Sequence, residues 1–249
     1  MAENKINEQD VLNFALNLEY LEGEFYTYAV TGKSITSFGT GIKGRANGAN
    51  PTDGGHTVGG KQITFSDNLV RDMAAEIGSY ERAHVVLLRG ALGSAAVAMP
   101  TIDLSALGLG FGNQNDFLQL ARILEDVGVT AYAGAAGFLK TPEIITAAAG
   151  LLGAEAEHAA AIRTQIARLQ IPTTAVDGVD LVPPPSGQAR QLFSIDVSNG
   201  LVATRTPGQV LYLALGGKAG VKQGGFFPNG LNGTITTSTE EAKASKVAA

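Results

Sequence analysis

Glu81-Arg82-Ala83-His84 and Glu155-Ala156-Glu157-His158 decide how this chain is read. Both are Glu-x-x-His steps set in apolar stretches with helical spacing. Residues three apart on a helix lie on one face, so each step aims a carboxylate and an imidazole at one point. Each step is preceded by another helix with a glutamate inside its apolar stripe, Glu19 in one case and Glu125 in the other. Two Glu helices and two Glu-x-x-His helices offer four carboxylates and two imidazoles. That set holds a pair of iron or manganese ions in the core of a four-helix bundle. The chain has only 3 His, and two of them sit in this pattern.

The elements repeat within the chain. Glu19 has Tyr26 seven residues later, and Glu125 has Tyr132 seven residues later. Seven residues make two turns, about 10.5 Å along the axis, so each Tyr shares a face with its Glu. A two-metal site needs this internal symmetry: Glu81 and Glu155 bridge the ions, while Glu19 with His84 and Glu125 with His158 complete one ion each. Tyr26 and Tyr132 read as core aromatics whose hydroxyls need partners. A bond to a ligand carboxylate would meet that need and give them a supporting catalytic role. Glu22 falls near the stripe of Glu19 and is an additional ligand candidate. Glu24, Glu76 and Glu157 are expected on solvated faces, and His56 in an exposed Gly-rich loop.

The wider pattern is all-α. A first helix is expected from about Asn7 to Val30, stopped by Gly32. A polar, Gly-rich loop over residues 32–64 is too long for an ordinary helix connection and should cover a surface or contact a neighbour. Ser66 reads as the N-cap of a second helix with Asp67 in its first turn; that helix ends near Gly90 to Gly93. A crossover follows, then a third helix capped by Asn115 or Asp116 and running to about Leu139. Thr141-Pro142-Glu143 opens a fourth helix that runs to about Leu169 and is ended by Pro172. A short link between helices three and four, with a long crossover between two and three, is ferritin-like bundle connectivity. The expected division is a four-helix bundle over 1–170 and a C-terminal extension over 171–249. The extension is mostly irregular, carries one helix at Gly208 to Leu215, and packs on the bundle with its last ten residues loose.

Composition removes other classes. With a net charge of −5 and 16% charged residues, the chain has no basic field for nucleic acid. With 0 Cys, disulfides, thiolate catalysis, zinc ribbons and iron–sulfur clusters are excluded. Met1 to Asp10 is polar with no visible signal peptide, and the Ala-rich stretch Ile144 to Ala161 carries Glu155, Glu157 and His158, so no membrane span is expected. A soluble cytoplasmic protein is the expectation, with periplasmic or extracellular locations left open. Gly55-His56-Thr57-Val58-Gly59-Gly60-Lys61-Gln62 nearly spells a phosphate-binding loop, but Gln62 stands where magnesium would need Ser or Thr and no apolar strand precedes it.

The segment Leu12-Asn13-Phe14-Ala15-Leu16-Asn17-Leu18-Glu19-Tyr20-Leu21-Glu22-Gly23-Glu24-Phe25-Tyr26 resembles the first helix of the ferritin-like family related to plant desiccation-related proteins. Thr206-Pro207-Gly208-Gln209-Val210-Leu211 and Gly225-Phe226-Phe227-Pro228-Asn229-Gly230-Leu231-Asn232-Gly233 resemble the same family. More broadly, Glu19, Glu81, His84, Glu125, Glu155 and His158 are similar to the di-metal ligand pattern of bacterioferritin and other ferritin-like proteins. Bacterioferritins place a haem-binding Met after the second helix's Glu, where this chain has Arg82, so haem is not expected. The inserted loop and the extension depart from cage-forming ferritins.

The leading expectation is redox chemistry at a non-haem centre of two iron or manganese ions, with Fe(II) oxidised by dioxygen or peroxide in stress protection. Manganese-dependent peroxide disproportionation on the same ligands is the nearest enzymatic alternative. A structural, self-packing stress or coat protein is the alternative of another class, its metal site a staple or vestigial. The low charge, Gly- and Thr-rich loops and extension suit a homo-oligomer.

Overall fold

A computed structural model of the chain describes residues 6–46, 51–187, 191–239 and 243–245. Its frame is four long helices: α1 (Glu8–Thr31), α2 (Asn68–Leu92), α3 (Gln114–Ala135) and α4 (Pro142–Leu169). A short α5 (Pro207–Ala214) follows in the extension. The remaining order comes from two-residue strand pairs and short 3-10 turns. Among the described residues no helix is long and apolar enough to cross a membrane.

The helix ends follow local chemistry. Asn7 and Asp10 exchange side-chain-to-backbone hydrogen bonds across the first turn of α1, and Gly32 closes the helix at φ 71°. The cap of α2 is Asp67 and not Ser66: its carboxylate accepts from the N–H groups of Leu69 and Val70. The cap of α3 is Asn113, earlier than Asn115 or Asp116, and its side chain accepts from both of their N–H groups. Thr141 stands at the cap position of α4, with Pro142 first in the helix. Its hydroxyl donates instead to Glu8, whose carboxylate also accepts from the Lys140 and Thr141 N–H groups. Thus α1 and the α3–α4 turn are tied at one end of the bundle.

Cross-helix contacts fix the directions. Gly23 of α1 lies by the Glu81 backbone of α2, and Gly78 by Tyr26, so α1 and α2 are antiparallel. Tyr26 reaches Glu125, and Tyr132 reaches Glu19, so α3 is also antiparallel to α1. Helices α2 and α3 are therefore parallel, and the chain between them must travel the length of the bundle, about 37 Å for a helix the size of α2.

The long loop between α1 and α2 is laid along this crossover. Strand β3 (Thr57–Val58) pairs in parallel with β4 (Ile102–Asp103) of the crossover. Strand β1 (Gly44–Arg45) pairs with β2 (Pro51–Thr52). A Cβ at Gly55 would lie 2.4 Å from the Thr101 nitrogen, and one at Gly44 2.5 Å from the Ala96 oxygen. The glycines let two backbones meet.

The extension leaves α4 after Gln170 and binds back at several points. Arg122 of α3 and Arg163 of α4 are fully buried. Arg122 donates to Asp180 (2.7 Å), to the Thr174 carbonyl (2.6 Å) and to Asp126 (3.3 Å). Arg163 donates to Asp126 (2.7 Å) and to the carbonyls of Leu192 and Leu181. Farther on, Arg205 donates to Thr130 and pairs with Asp177. A last pair of strands, β5 (Ile195–Asp196) and β6 (Leu201–Val202), is antiparallel. The Gly225 to Gly233 segment buries Phe226, Phe227 and Leu231, and Asn232 exchanges hydrogen bonds with Asn17 of α1. Most of the C-terminal ten residues lie outside the described ones; of those described, Ser245 bridges to Thr204 and the Ala244 N–H donates to Asp177.

Candidate metal centre

All six residues singled out by the Glu and Glu-x-x-His pattern meet in the bundle core. Glu19 comes from α1, Glu81 and His84 from α2, Glu125 from α3, and Glu155 and His158 from α4. Each is buried, and Glu81, Glu125 and Glu155 have 0% exposure. His84 Nδ1 lies 3.2 Å from Glu19 Oε2, 3.2 Å from Glu81 Oε2 and 3.6 Å from Glu155 Oε1. His158 Nδ1 lies 2.9 Å from Glu81 Oε1 and 3.3 Å from Glu125 Oε2. The two imidazoles face each other, ring centroids 6.0 Å apart.

The donor atoms fall into two overlapping groups. Glu19, Glu81, His84 and Glu155 form one, and Glu81, Glu125, Glu155 and His158 the other; within each, one ligand atom per residue lies within 4.8 Å of the rest. Glu81 and Glu155 belong to both.

The tyrosines tie the halves crosswise. Tyr26 donates to Glu125 Oε1 at 2.5 Å, and Tyr132 donates to Glu19. Each phenol shares a helix with one glutamate and bonds the glutamate of the other half. Burial, reinforced by nearby carboxylates, holds both hydroxyls well above their ordinary range, so they stay neutral donors.

The electrostatics are those of an acid cluster short of cations. Burial pushes Glu155 well above the ordinary carboxylate range, and Glu22, Glu81, Glu125 and Glu19 push it further. Burial likewise raises Glu19, to about 7, against the lowering effect of His84. Glu81 sits between both imidazoles, and their hydrogen bonds outweigh its burial and hold it near 2. Burial lowers His84 and His158, but their carboxylate partners raise each to about 10. Several atoms nonetheless lack an aligned hydrogen-bond partner: both oxygens of Glu155, Glu81 Oε1, Glu125 Oε2 and His158 Nδ1. His158 Nδ1 and Glu81 Oε1 are close enough to pair but not aligned to share a proton well. Orphaned buried oxygens and nitrogens pointing at common positions are what a cation site presents. The cluster fits a di-metal site.

Two neighbours adjoin the six. Glu22, the additional ligand candidate, is buried beside the cluster, held well above its ordinary range by burial and then by Glu125, Glu81 and Glu19. Gly128 of α3, which sequence reasoning missed, makes room for the carboxylates: a Cβ there would lie 2.4 Å from Glu155 Oε2 and 3.5 Å from Glu22 Oε1. A glycine at helical spacing from Glu125, inside an apolar stripe, was the available signal. Glu24 is not on a solvated face. It is fully buried and accepts from the Ser34 hydroxyl at 2.7 Å, because the 3-10 turn Ile35–Phe38 folds back over that side of α1. Glu76, Glu157 and His56 are exposed as expected. Tyr80 is half exposed; it stacks on His158 at 5.8 Å and donates to Glu76. Arg82 donates to Thr27 and lies over the Phe38 ring.

The family pattern described as a ferritin-like domain matches residues 7–168. The chain is similar to the desiccation-related protein PCC13-62 of Craterostigma plantagineum, 28% identical over 174 residues. That match takes in 63% of this chain and spans about half (52%) of the plant protein's length. It is also similar to the ferritin-like catalase Nec2 of Nesocodon mauritianus, 24% identical over 283 aligned positions, gaps included, that take in 94% of this chain and 87% of that one. With the matched domain extending over well more than half of its residues and containing all four long helices, this chain belongs to the ferritin-like family.

Proposed function

We propose that the chain is a di-metal oxidoreductase that consumes peroxide, in a role of oxidative-stress protection. The observation that carries this reading is the pair of overlapping donor groups sharing Glu81 and Glu155. In this reading Glu81 and Glu155 would be shared by two ions, with Glu19 and His84 holding one and Glu125 and His158 the other. Carboxylate-rich donors suit iron and manganese, whose +3 states hard oxygen ligands stabilise. When bound, the metal pair supplies the two-electron redox capacity that peroxide turnover requires.

The chain's own residues prepare the site for this. Tyr26 and Tyr132 each fix one carboxylate orientation by occupying the oxygen that faces them, leaving the other oxygen directed inward. Gly128 keeps the space that Glu155 needs. The stacked rings of Phe25 and Phe117, with Tyr26 edge-on to both, close the core against water. Both imidazoles must give up a proton to act as ligands, so loading is coupled to proton release.

Disproportionation, in which two peroxides yield two waters and one dioxygen, agrees with the name of the Nesocodon relative. Oxidation of Fe(II) by peroxide or dioxygen is the other chemistry of the same residues. One experiment separates them. The chain is loaded with Mn(II) or Fe(II), metal is counted, and dioxygen evolution from peroxide is followed with an electrode. About two metals per chain and one dioxygen per two peroxides support the proposal. Fe(II) oxidation with no dioxygen evolved moves the assignment to ferroxidation. Metal held with neither activity leaves a structural staple, and no metal held refutes the site.

A further inference from the structure

Beside the metal centre lies a second feature that redox chemistry leaves unused. A cavity of about 270 Å³ runs between α1, α3 and α5. Its wall is almost wholly apolar, with Leu18, Val127, Ala131, Val210, Leu213 and Phe226 among its side chains. The space is partly open to solvent, and a recessed apolar pocket of this kind is what a small-molecule site presents. It is nearly twice the volume of an engineered cavity that takes up benzene, which suits a ligand of about ten non-hydrogen atoms.

Three polar residues reach the wall, and two are already engaged. Tyr132 donates to Glu19, and Arg205 is held by Thr130 and Asp177. The third is Glu22. It is only 5% exposed, yet it makes no hydrogen bond or ion pair with any described residue. A buried carboxyl with no protein partner, facing an apolar cavity, is a hydrogen-bond acceptor waiting for a donor. Gly128 lines the same space and adjoins Glu155, so the inner end of the cavity touches the cluster.

We propose that this cavity binds a small amphiphile, an aliphatic or aromatic molecule with a terminal hydroxyl, whose apolar body lies between α1, α3 and α5 and whose O–H donates to Glu22. The extension then has a definite role, because α5 and Phe226 form the outer wall of a ligand site that the four bundle helices alone would leave open.

Such binding depends on the cavity and not on peroxide chemistry, and it is read without turnover, so either reading can fail alone. The metal-loaded full chain is titrated by calorimetry with 1-nonanol and with its isomer methyl octyl ether, which has the same atoms but no O–H. The expected result is one site, with the alcohol bound about fivefold more tightly, because the alcohol can both donate to and accept from the Glu22 carboxyl whereas the ether can only accept. Glu22→Leu should bind the two isomers equally. Ala131→Phe, which fills the cavity, should weaken the alcohol at least about tenfold. Leu213→Trp does the same from α5 and keeps the test intact if the first variant misfolds. Absence of alcohol binding to the parent chain overturns the proposal, as does equal affinity for both isomers. Binding unchanged by both filling variants also overturns it, because the site then lies elsewhere.

Discussion

Two clusters of buried charge share α3 and α4, and they are built on opposite plans. Arg122, Arg163, Asp126 and Asp180 balance, two cations against two anions, and the guanidinium groups are further engaged by backbone carbonyls. One step away, Glu19, Glu22, Glu81, Glu125 and Glu155 outnumber His84 and His158, and oxygens of Glu81, Glu125 and Glu155 have no aligned partner. The balanced cluster cancels its own charge and fastens the extension to the bundle, although Arg122 Nε and Asp126 Oδ1 also lack an aligned partner. The acid-rich one holds more carboxylates than its two imidazoles can offset. Burial and orphaned atoms by themselves therefore say little about role; the charge balance separates the two clusters.

The sharpest test of that contrast is metal occupancy. Glu81→Ala or Glu155→Ala should take metal content from about two ions per chain to near none, since both residues serve both donor groups. Glu19→Ala or Glu125→Ala should cost mainly one ion, whereas Arg163→Ala should leave the ratio in the folded fraction unchanged. Elemental analysis of each purified variant reads this directly, and full occupancy in Glu81→Ala would break the comparison.

Stability should sort the clusters the other way. Arg163→Ala leaves Asp126 buried against one cation fewer and should destabilise by about 3–5 kcal/mol with or without metal, measured by urea unfolding. Glu155→Gln should instead stabilise the metal-free chain near pH 8, by about 1–2 kcal/mol, because it removes a charge that burial and four neighbouring carboxylates oppose. If both variants destabilised the metal-free chain equally, the acid-rich cluster would be a staple too.

The response to pH follows from the same asymmetry. His84 and His158 rise from 6.5 to about 10 in the folded state, so their contribution is complete below about pH 6.5 and is lost as pH climbs through 10. Glu19, raised from 4.5 to about 7, binds more protons folded than unfolded and removes stability between those values as pH rises. Glu81, held near 2, contributes above its ordinary 4.5 and is lost in acid. Metal-free protein should thus be most stable at about pH 4 to 5, where Glu81 is ionised and Glu19 still holds its proton, and weaken steadily above it. Metal must displace these protons, so its stabilisation should grow as pH rises. Melting curves with chelator and with Mn(II) between pH 5 and 9 should diverge upward; superimposed curves would argue against a metal site.

The smallest effect concerns the crossed phenols. Tyr26→Phe or Tyr132→Phe removes one buried hydrogen bond, worth about 1–2 kcal/mol, and should loosen one ion more than the other. A two-site titration with Mn(II) would show one affinity lowered and one retained.

Much of this was legible in the sequence because helical geometry turns spacing into direction. The i, i+3 steps of α2 and α4, and Glu19 and Glu125 inside apolar stripes, were enough to bring six side chains to one place. What escaped detection depended on contacts distant in sequence. Glu24 read as solvated because α1 was given a solvent face, whereas α1 is buried around nearly its whole circumference by neighbouring helices, the loop and the extension. Arg122 and Arg163 carried no periodic signal, and their partners Asp180, Thr174 and Leu192 lie in an irregular segment whose path no local rule predicts. The caps moved from Ser66 to Asp67 and from Asn115 to Asn113 because runs of good capping residues leave the first turn ambiguous until backbone contacts choose it.

The crosswise bonds from Tyr26 to Glu125 and from Tyr132 to Glu19 have a consequence for assembly. The helical hairpin α1–α2 supplies three donors to one group and a single donor to the other, and α3–α4 does the reverse. Neither hairpin holds a whole site. Sliding one past the other by a single helical turn would displace the donors by about 5.4 Å, more than the 4.8 Å within which each group is gathered. At the proposed site, ion uptake would therefore read the register of the two hairpins: a chain docked one turn out of step could be helical and compact and still hold no metal.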